Sequence, residues 1–177
     1  MKRMLALLAL SLGCSSAMAA NIIHFEGSIT AGGTCPIKVV TPSGAALPKI
    51  YLGDFNVDDY AKAGLKTPLE RFALKIDPAT CTIASGDTAT VKFEAHNGGD
   101  AAAKLFNMRS GGDYSTGFGL AIFDKSSTQL APDEESVKYE LSDTVPTLMN
   151  FSTQLHSTAP VTEGPIATSV GFVVAIP

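Results

Sequence analysis

Residues 21–35 read NIIHFEGSITAGGTC, and the interpretation of the whole chain depends on this stretch. Apolar residues and a glycine alternate in it with polar residues, which predicts a β-strand with one apolar face. The first set is Ile23, Phe25, Gly27 and Ile29, and the polar set is His24, Glu26 and Ser28. We expect no strand to precede it in the mature chain, so a local hairpin partner is missing. The strand must join a sheet elsewhere, and we predict that it is donated to another molecule.

The first 19 residues have the features of an export signal. A basic start is followed by an apolar run over residues 4–12 and by Ala17-Met18-Ala19, which fits an A-x-A cleavage site. Removing these 19 residues from 177 leaves 158, which is enough for one domain. Lipid attachment at Cys14 is the alternative, although Ser11 stands where a large aliphatic residue is expected. No later apolar run is long enough for a transmembrane helix.

Two cysteines, Cys35 and Cys81, remain after the signal is removed. An even pair in an exported protein predicts a disulfide, because the compartment is oxidising. The loop spans 46 residues, and closing a loop of that size stabilises a chain by about 4 kcal/mol. A metal site built on these two cysteines is a weaker alternative, since no histidine lies near either of them in sequence.

The charge balance excludes one class of partner. Two of the 13 basic residues lie in the signal, so the mature chain has 11 basic and 17 acidic residues and a net charge of −6. A chain with this balance has no basic patch to neutralise phosphates, so nucleic acid is not expected as a partner. We also expect no attraction to anionic membranes.

The rest of the sequence predicts short strands separated by Gly, Asn and Asp turns. Their spacing of about 8–12 residues is typical of an all-β sandwich. A polar segment over residues 58–67 has room for at most one helical turn. In the strand predicted at 147–156, Leu148, Phe151 and Leu155 fit apolar positions only if the alternation slips once. The other predicted strands are 36–40, 49–53, 71–76, 88–95, 104–108, 117–123, 137–141 and 168–176.

We find no residue set that indicates an enzyme, a metal site or a cofactor. The histidines, His24, His96 and His156, have no metal-ligand spacing. The acidic clusters Asp58-Asp59 and 133–135 lie on predicted loops without a converging acid–base partner. Solvent-exposed side chains are the simpler interpretation of both groups.

Several motifs, in this order and spacing, resemble the pilin subunits of chaperone–usher fimbriae of the type 1 and P pilus group. The resemblance covers the whole mature chain. Its motifs are residues 24–27 followed by Cys35, Leu52-Gly53, residues 72–76 before Cys81, residues 91–93, residues 117–122, residues 150–164 with Gly164, and the strand 170–176.

The resemblance implies an incomplete immunoglobulin-like sandwich that lacks its last strand and is completed by donor-strand exchange. It divides the chain into a signal peptide (1–19), a donor-strand extension (20–34) and a pilin domain (35–177). Ile23, Phe25, Gly27 and Ile29 would form the donor strand, and burying its three large side chains would contribute about 5–9 kcal/mol before ordering costs. The C-terminal strand that borders the groove would present Val170, Phe172, Val174 and Ile176.

The implied partners are neighbouring pilin subunits, a periplasmic chaperone and an outer-membrane usher, and the implied location is a fimbria at the cell surface. The family usually has an aromatic residue next to last, where this chain has Ile176. The arm before Cys35 is short, which favours a minor or adaptor subunit. The alternative function is a self-contained secreted immunoglobulin-like binding domain, whose N-terminal strand pairs with its own sheet.

Overall fold

The structure is a computed structural model, and it describes residues 22–29 and 35–176. The predicted signal at 1–19, including Cys14, lies outside the described residues. Within the described residues, the one helical element is a 3₁₀ turn at Val57–Tyr60, which overlaps the start of the segment 58–67 predicted to hold at most one turn. The strands are β1 (Ile22–Ile29), β2 (Lys38–Val40), β3 (Ile50–Tyr51), β4 (Glu70–Ile76), β5 (Thr88–Ala95), β6 (Gly99–Asp100), β7 (Leu105–Asn107), β8 (Phe118–Phe123), β9 (Gln129–Leu130), β10 (Tyr139–Glu140), β11 (Thr147–Ser157) and β12 (Ala167–Ala175).

The strands form two sheets that share one apolar core. The smaller sheet has the order β10-β5-β12-β1-β3, and the larger has the order β2-β4-β11-β8-β7-β6, with β9 paired to β8. Inward residues alternate with partly exposed ones along strands such as β5, as expected for two sheets packed face to face. The predicted all-β sandwich is confirmed.

Three phenylalanines join the two sheets at the centre of the core. Phe93 of the smaller sheet meets Phe151 of the larger edge to face, with ring centroids 5.0 Å apart. Phe72 stacks on Phe151 at 5.6 Å and lies 6.1 Å from Phe93. Such aromatic pairs contribute about 0.5–1.5 kcal/mol beyond the area that they bury. The cluster adjoins the C-terminal strand, because Phe93 is the register partner of Phe172 on β12.

The longest strand, β11, corrects one detail of the sequence prediction. Its alternation does not slip: Met149, Phe151 and Leu155 are buried on one face, and Leu148 is only half buried on the other. The apparent slip arises because two inward positions are polar. The Thr153 hydroxyl donates to the Ala121 carbonyl at 2.8 Å, and the Ser157 hydroxyl donates to the Lys62 carbonyl at 2.8 Å. Hydrogen-bonded polar groups can replace apolar ones in a core at little cost.

The disulfide between Cys35 and Cys81 is present, as predicted, and the two Cα atoms are 4.7 Å apart. Cys81 lies in the connection between β4 and β5. That connection is at the end of the sandwich where β12 finishes, since Ala175 pairs with Thr90 at the start of β5. The bridge therefore fixes the start of the domain to this end of the sandwich.

Candidate functional site: a one-strand slot in the smaller sheet

The predicted donor strand, β1, lies inside the smaller sheet of its own chain. It pairs in parallel with β12 along its whole length and antiparallel with β3 at Ile22 and Ile23. The sequence pattern predicts that this strand is donated to a neighbouring molecule, whereas the single chain holds it between its own β12 and β3. The position of β1 defines a slot, one strand wide, between β12 and β3.

The β12 wall of the slot is apolar on its inner side. Val170, Phe172 and Val174 are buried, and of the two residues between them Val173 is partly exposed and Gly171 is buried. Ile176 does not belong to this strand, which ends at Ala175. It is half buried beyond the strand end, and it packs against the edge of the core.

The register aligns the predicted donor residues with the inward residues of this wall. Ile23, Phe25, Gly27 and Ile29 are the partners of Thr168, Val170, Phe172 and Val174, respectively. Ile23 has no exposed surface and belongs to the core cluster. Partners in a ladder share a face, so the buried Ile23 lies on the same side of the sheet as the buried Thr168.

The opposite wall, β3, was predicted as a strand but not as part of the site. Ile50 is buried and is the register partner of Ile23, while Tyr51 is half exposed. Among the strand pairs of the described residues, β3 joins the sheet only through β1. Removing β1 would leave β12 as an unpaired edge above an open core, with β3 detached from the sheet. Edges of this kind are templates for pairing with another chain. A run of two strand residues gives little sequence signal for such a role.

The direction of β1 follows from the short link to the disulfide. Ile29 lies beside Val174, at the end of the sandwich where Cys35 is fixed, and five residues separate Ile29 from Cys35. Six extended steps reach about 20 Å. In the reverse direction Ile29 would lie beside Ala167, a displacement of seven residues or about 23 Å along the strand. The link is too short for that, so the chain's own arm enters its slot in the parallel direction.

A small cavity of about 140 Å³, lined by both apolar and polar residues, lies at the other end of the slot, where β12 begins. Three aromatic rings, Phe55, Tyr60 and Phe118, line it and contact one another with centroids 5.2–6.1 Å apart. Gly164 lines the same cavity just before β12. Its backbone has a φ of +138°, and a Cβ there would lie 2.7 Å from the Asp113 carbonyl oxygen and from the Ser115 nitrogen.

Replacing Gly164 by alanine is expected to lower the free energy of unfolding by about 2 kcal/mol or more, from a strained φ and a backbone clash together. Thermal unfolding measures the loss. Gly44→Ala is the matched control, because Gly44 has a φ of +89° with nothing within 4 Å of the added Cβ. Equal losses in the two variants would show that the close packing at Gly164 is unimportant.

The histidines whose side chains the structure describes do not converge on a site. His96 directly follows β5 of the smaller sheet, whereas His156 lies on β11 in the larger one, where its Nε2 is 2.9 Å from the Gln154 amide nitrogen. Burial lowers the His156 pKa, and the charge of Lys66 lowers it further. The side chain of His24 is outside the described part. No group of three His, Cys, Asp or Glu residues within 22–29 and 35–176 is arranged to hold a metal ion.

The acidic clusters are surface features. Glu134 forms an ion pair with Lys104 at 2.9 Å, and Glu135 forms one with Lys92 at 3.1 Å. Asp58 and Asp59 are exposed on the 3₁₀ turn. Across the described ranges, no helix has the length and apolarity needed to cross a bilayer.

Residues 23–176 match the model of one protein family, described as Fimbrial protein. The chain belongs to this Fimbrial protein family. The match begins at the second residue of β1 and continues through Ile176, so it includes both the slot and the strand that fills it. The fimbrial pilin predicted from the sequence is confirmed, and the family is one of structural proteins rather than enzymes.

Solved structures of fimbrial proteins share this fold. The P pilus rod subunit PapA matches with a TM-score of 0.62 at 15% identity, over 81% of this chain and 99% of PapA. A subunit of a chaperone–usher pilus matches with a TM-score of 0.59 at 15% identity, over 86% and 96% of the two chains. An antigen and type I fimbria protein of Burkholderia pseudomallei matches with a TM-score of 0.53 at 18% identity, over 81% and 97%. A search of curated protein sequences found no match.

Proposed function

We propose that this fimbrial protein is a structural subunit of an adhesive fimbria that polymerises by donor-strand exchange. One observation carries the proposal: β1 fills a slot one strand wide that the rest of the domain leaves open. The residues of β1 that match the inward positions of the slot are those predicted to be donated, namely Ile23, Phe25, Gly27 and Ile29.

The geometry supplies a reason for the arm to move from its own slot to a neighbour's. In its own slot the arm is held parallel to β12 by the short link to Cys35. An arm from a second molecule has no such restraint and can pair antiparallel, and antiparallel ladders are slightly more stable per residue. Over eight residues this difference favours exchange, and backbone hydrogen bonds and side-chain pockets then hold the neighbour.

Repeated exchange would produce a fibre. Each subunit accepts a strand at one surface and donates it from another, so the contact is heterologous and does not close. Before assembly an empty slot needs protection, since an open edge promotes aggregation. We assign that protection to a periplasmic chaperone and the assembly step to an outer-membrane usher, which places the finished fibre at the cell surface. The short arm before Cys35 favours a minor or adaptor subunit.

The second candidate is a self-contained secreted immunoglobulin-like domain, and the self-inserted β1 favours it. The two proposals differ in what a subunit without its arm does during assembly. A chain lacking residues 21–29 can accept a strand but cannot donate one, so it should terminate a growing fibre.

We expect the mean fibre length to fall steadily as the truncated chain is mixed with the full-length chain in the presence of the chaperone and usher, as measured by electron microscopy. The matched control is full-length Ser28→Ala, because Ser28 is the register partner of Val173, which is outside the buried set. Fibres formed by the truncated chain alone, or a fibre length that does not depend on its fraction, would refute donor-strand exchange. A full-length chain that stays monomeric under these conditions would support the second candidate.

A further inference from the structure

An open pocket of about 530 Å³ lies on the outer face of the larger sheet, in the sheet opposite the slot. Its floor includes Arg71 of β4 and Ser152 of β11, which are register partners. The next pair along the same strands, Phe72 and Phe151, points into the core, so Arg71 and Ser152 face outward. The rest of the lining is Asn150 and Phe151 of β11, Pro42 after β2, Leu69 before β4, and three residues of the turn that follows β8, namely Asp124, Lys125 and Ser127.

The pocket contains hydrogen-bonding groups that the protein does not use. Among the described residues, no hydrogen bond or ion pair is formed by the Arg71 guanidinium or by the hydroxyls of Ser127 and Ser152. The Asn150 side-chain amide donates one long hydrogen bond, 3.5 Å, to the Leu148 carbonyl, and within the described ranges its side-chain oxygen accepts none. Guanidinium, amide and hydroxyl groups together can bind a ligand that has one anionic group and several hydroxyls.

Asp124 has a different role from the other polar residues, because its carboxylate is already satisfied. It accepts from the Ser126 and Thr128 nitrogens at 2.9 and 3.1 Å, from the Ser126 hydroxyl at 2.6 Å and from the Val137 nitrogen at 3.2 Å. Burial alone would raise the Asp124 pKa, but these hydrogen bonds outweigh burial and hold the pKa below its usual value. The side chain is therefore charged, and it shapes the turn instead of binding a ligand.

The net charge of the pocket lining indicates which kind of anion fits. Lys125 is held with its Nζ 4.7 Å from the Tyr139 ring centroid, which leaves Arg71 as the accessible cation. The lining has two positive charges, on Arg71 and Lys125, and one negative charge, on Asp124, so its net charge is +1. A singly charged carboxylate matches this balance better than a doubly charged phosphate. A guanidinium also matches the planar geometry of a carboxylate in a two-point contact.

One wall of the pocket is apolar and exposed. Leu69 is 52% exposed, unusually for a leucine beside a strand, and Pro42 lies on the same rim. The pocket volume is within the range of about 300–1,000 Å³ typical of small-ligand sites. An apolar wall beside hydroxyl-binding groups suits a sugar ring, which has C–H faces and a rim of hydroxyls.

We propose that this outer-sheet pocket binds an acidic saccharide unit through its carboxylate, with Arg71 as the anion contact and Ser127, Asn150 and Ser152 as hydroxyl contacts. The site is independent of the proposed strand exchange. It lies on the other sheet and remains accessible whichever strand fills the slot.

The test uses the full-length chain and a matched pair of sugars, glucuronate and glucose, which differ in one carboxylate. Titrations followed by ¹H–¹⁵N NMR should show saturable binding of glucuronate, with shifts at the pocket residues, and at least about tenfold weaker binding of glucose. Arg71→Gln should reduce glucuronate affinity to that of glucose. Arg109→Gln is the matched control, because Arg109 is also an exposed arginine and contacts Tyr114 instead of the pocket. It should leave the affinity unchanged.

Four outcomes would overturn the proposal. The first two are equal affinities for glucuronate and glucose, and a glucuronate affinity that is unchanged in a folded Arg71→Gln variant. The other two are the absence of saturable glucuronate binding in the millimolar range, and binding of a glutamate-rich peptide but of neither sugar. Leu69→Ser gives an independent check, since it should weaken the binding of glucuronate but not that of acetate, which has a carboxylate and no ring. None of these measurements depends on fibre assembly. A failure of the saccharide proposal is therefore distinguishable from a failure of the donor-strand proposal.

Discussion

Deleting residues 22–29 is expected to leave a chain that does not fold stably by itself. The deletion removes the fully buried Ile23 and exposes Ile50, Phe172 and Val174 to water in the empty slot. Each apolar side chain of this size contributes about 1.5–3 kcal/mol when buried. The summed loss exceeds about 5 kcal/mol, which is comparable with the whole stability of many domains. β12 would also lose the ladder along one edge.

Adding the missing strand as a separate peptide should restore folding. Thermal unfolding followed by circular dichroism gives the measurement: the truncated chain should show no cooperative transition, and a peptide of residues 20–31 should recover one. A peptide of the same composition with the alternation scrambled is the matched control and should have no effect. If the truncated chain alone melts at the same temperature as the full-length chain, β1 is not needed to complete the fold and the slot is not a binding site.

Replacing both Cys35 and Cys81 by serine is expected to lower the free energy of unfolding by about 4 kcal/mol, the value for closing a loop of this length. The bridge closes a separation of 46 residues that contains β2, β3 and β4. Without it the unfolded chain gains conformational entropy. The start of the domain is also released from the end of the sandwich where the arm must enter.

Urea unfolding of the full-length chain, oxidised and reduced, provides the measurement and its own control. Reduction of the natural chain should shift the midpoint by the same amount as the double substitution, because both remove the same covalent link. Equal midpoints in the oxidised and reduced forms would contradict the prediction. Alkylation of two thiols in the purified protein without a reductant would show that the bridge does not form.

Sequence pattern and structure differ most at β11 and β3. The alternation of β11 is hidden in the sequence because Thr153 and Ser157 occupy inward positions, and only their hydrogen bonds to distant carbonyls show why they are buried. No sequence pattern indicates that β3 borders the slot. Two strand residues carry no period, and their role comes from the strand placed beside them.

The outer-sheet pocket was also beyond sequence reasoning. Its lining comes from parts of the chain that are far apart in sequence, such as Pro42, Arg71 and Ser152. Each of these residues separately has the properties of an ordinary surface residue. Their convergence depends on the register between β4 and β11 and on the path of the turn after β8.

Local patterns in the sequence determined the all-β class, the cysteine pair and the apolar face of the arm, because a period of two and an even cysteine count are properties of neighbouring residues. The tertiary structure decided where the arm lies and in which direction. The link from Ile29 to Cys35 is short, and Cys35 is fixed to the end of the sandwich where β12 finishes. That distance exists only in the folded chain, so no pattern along the sequence records it.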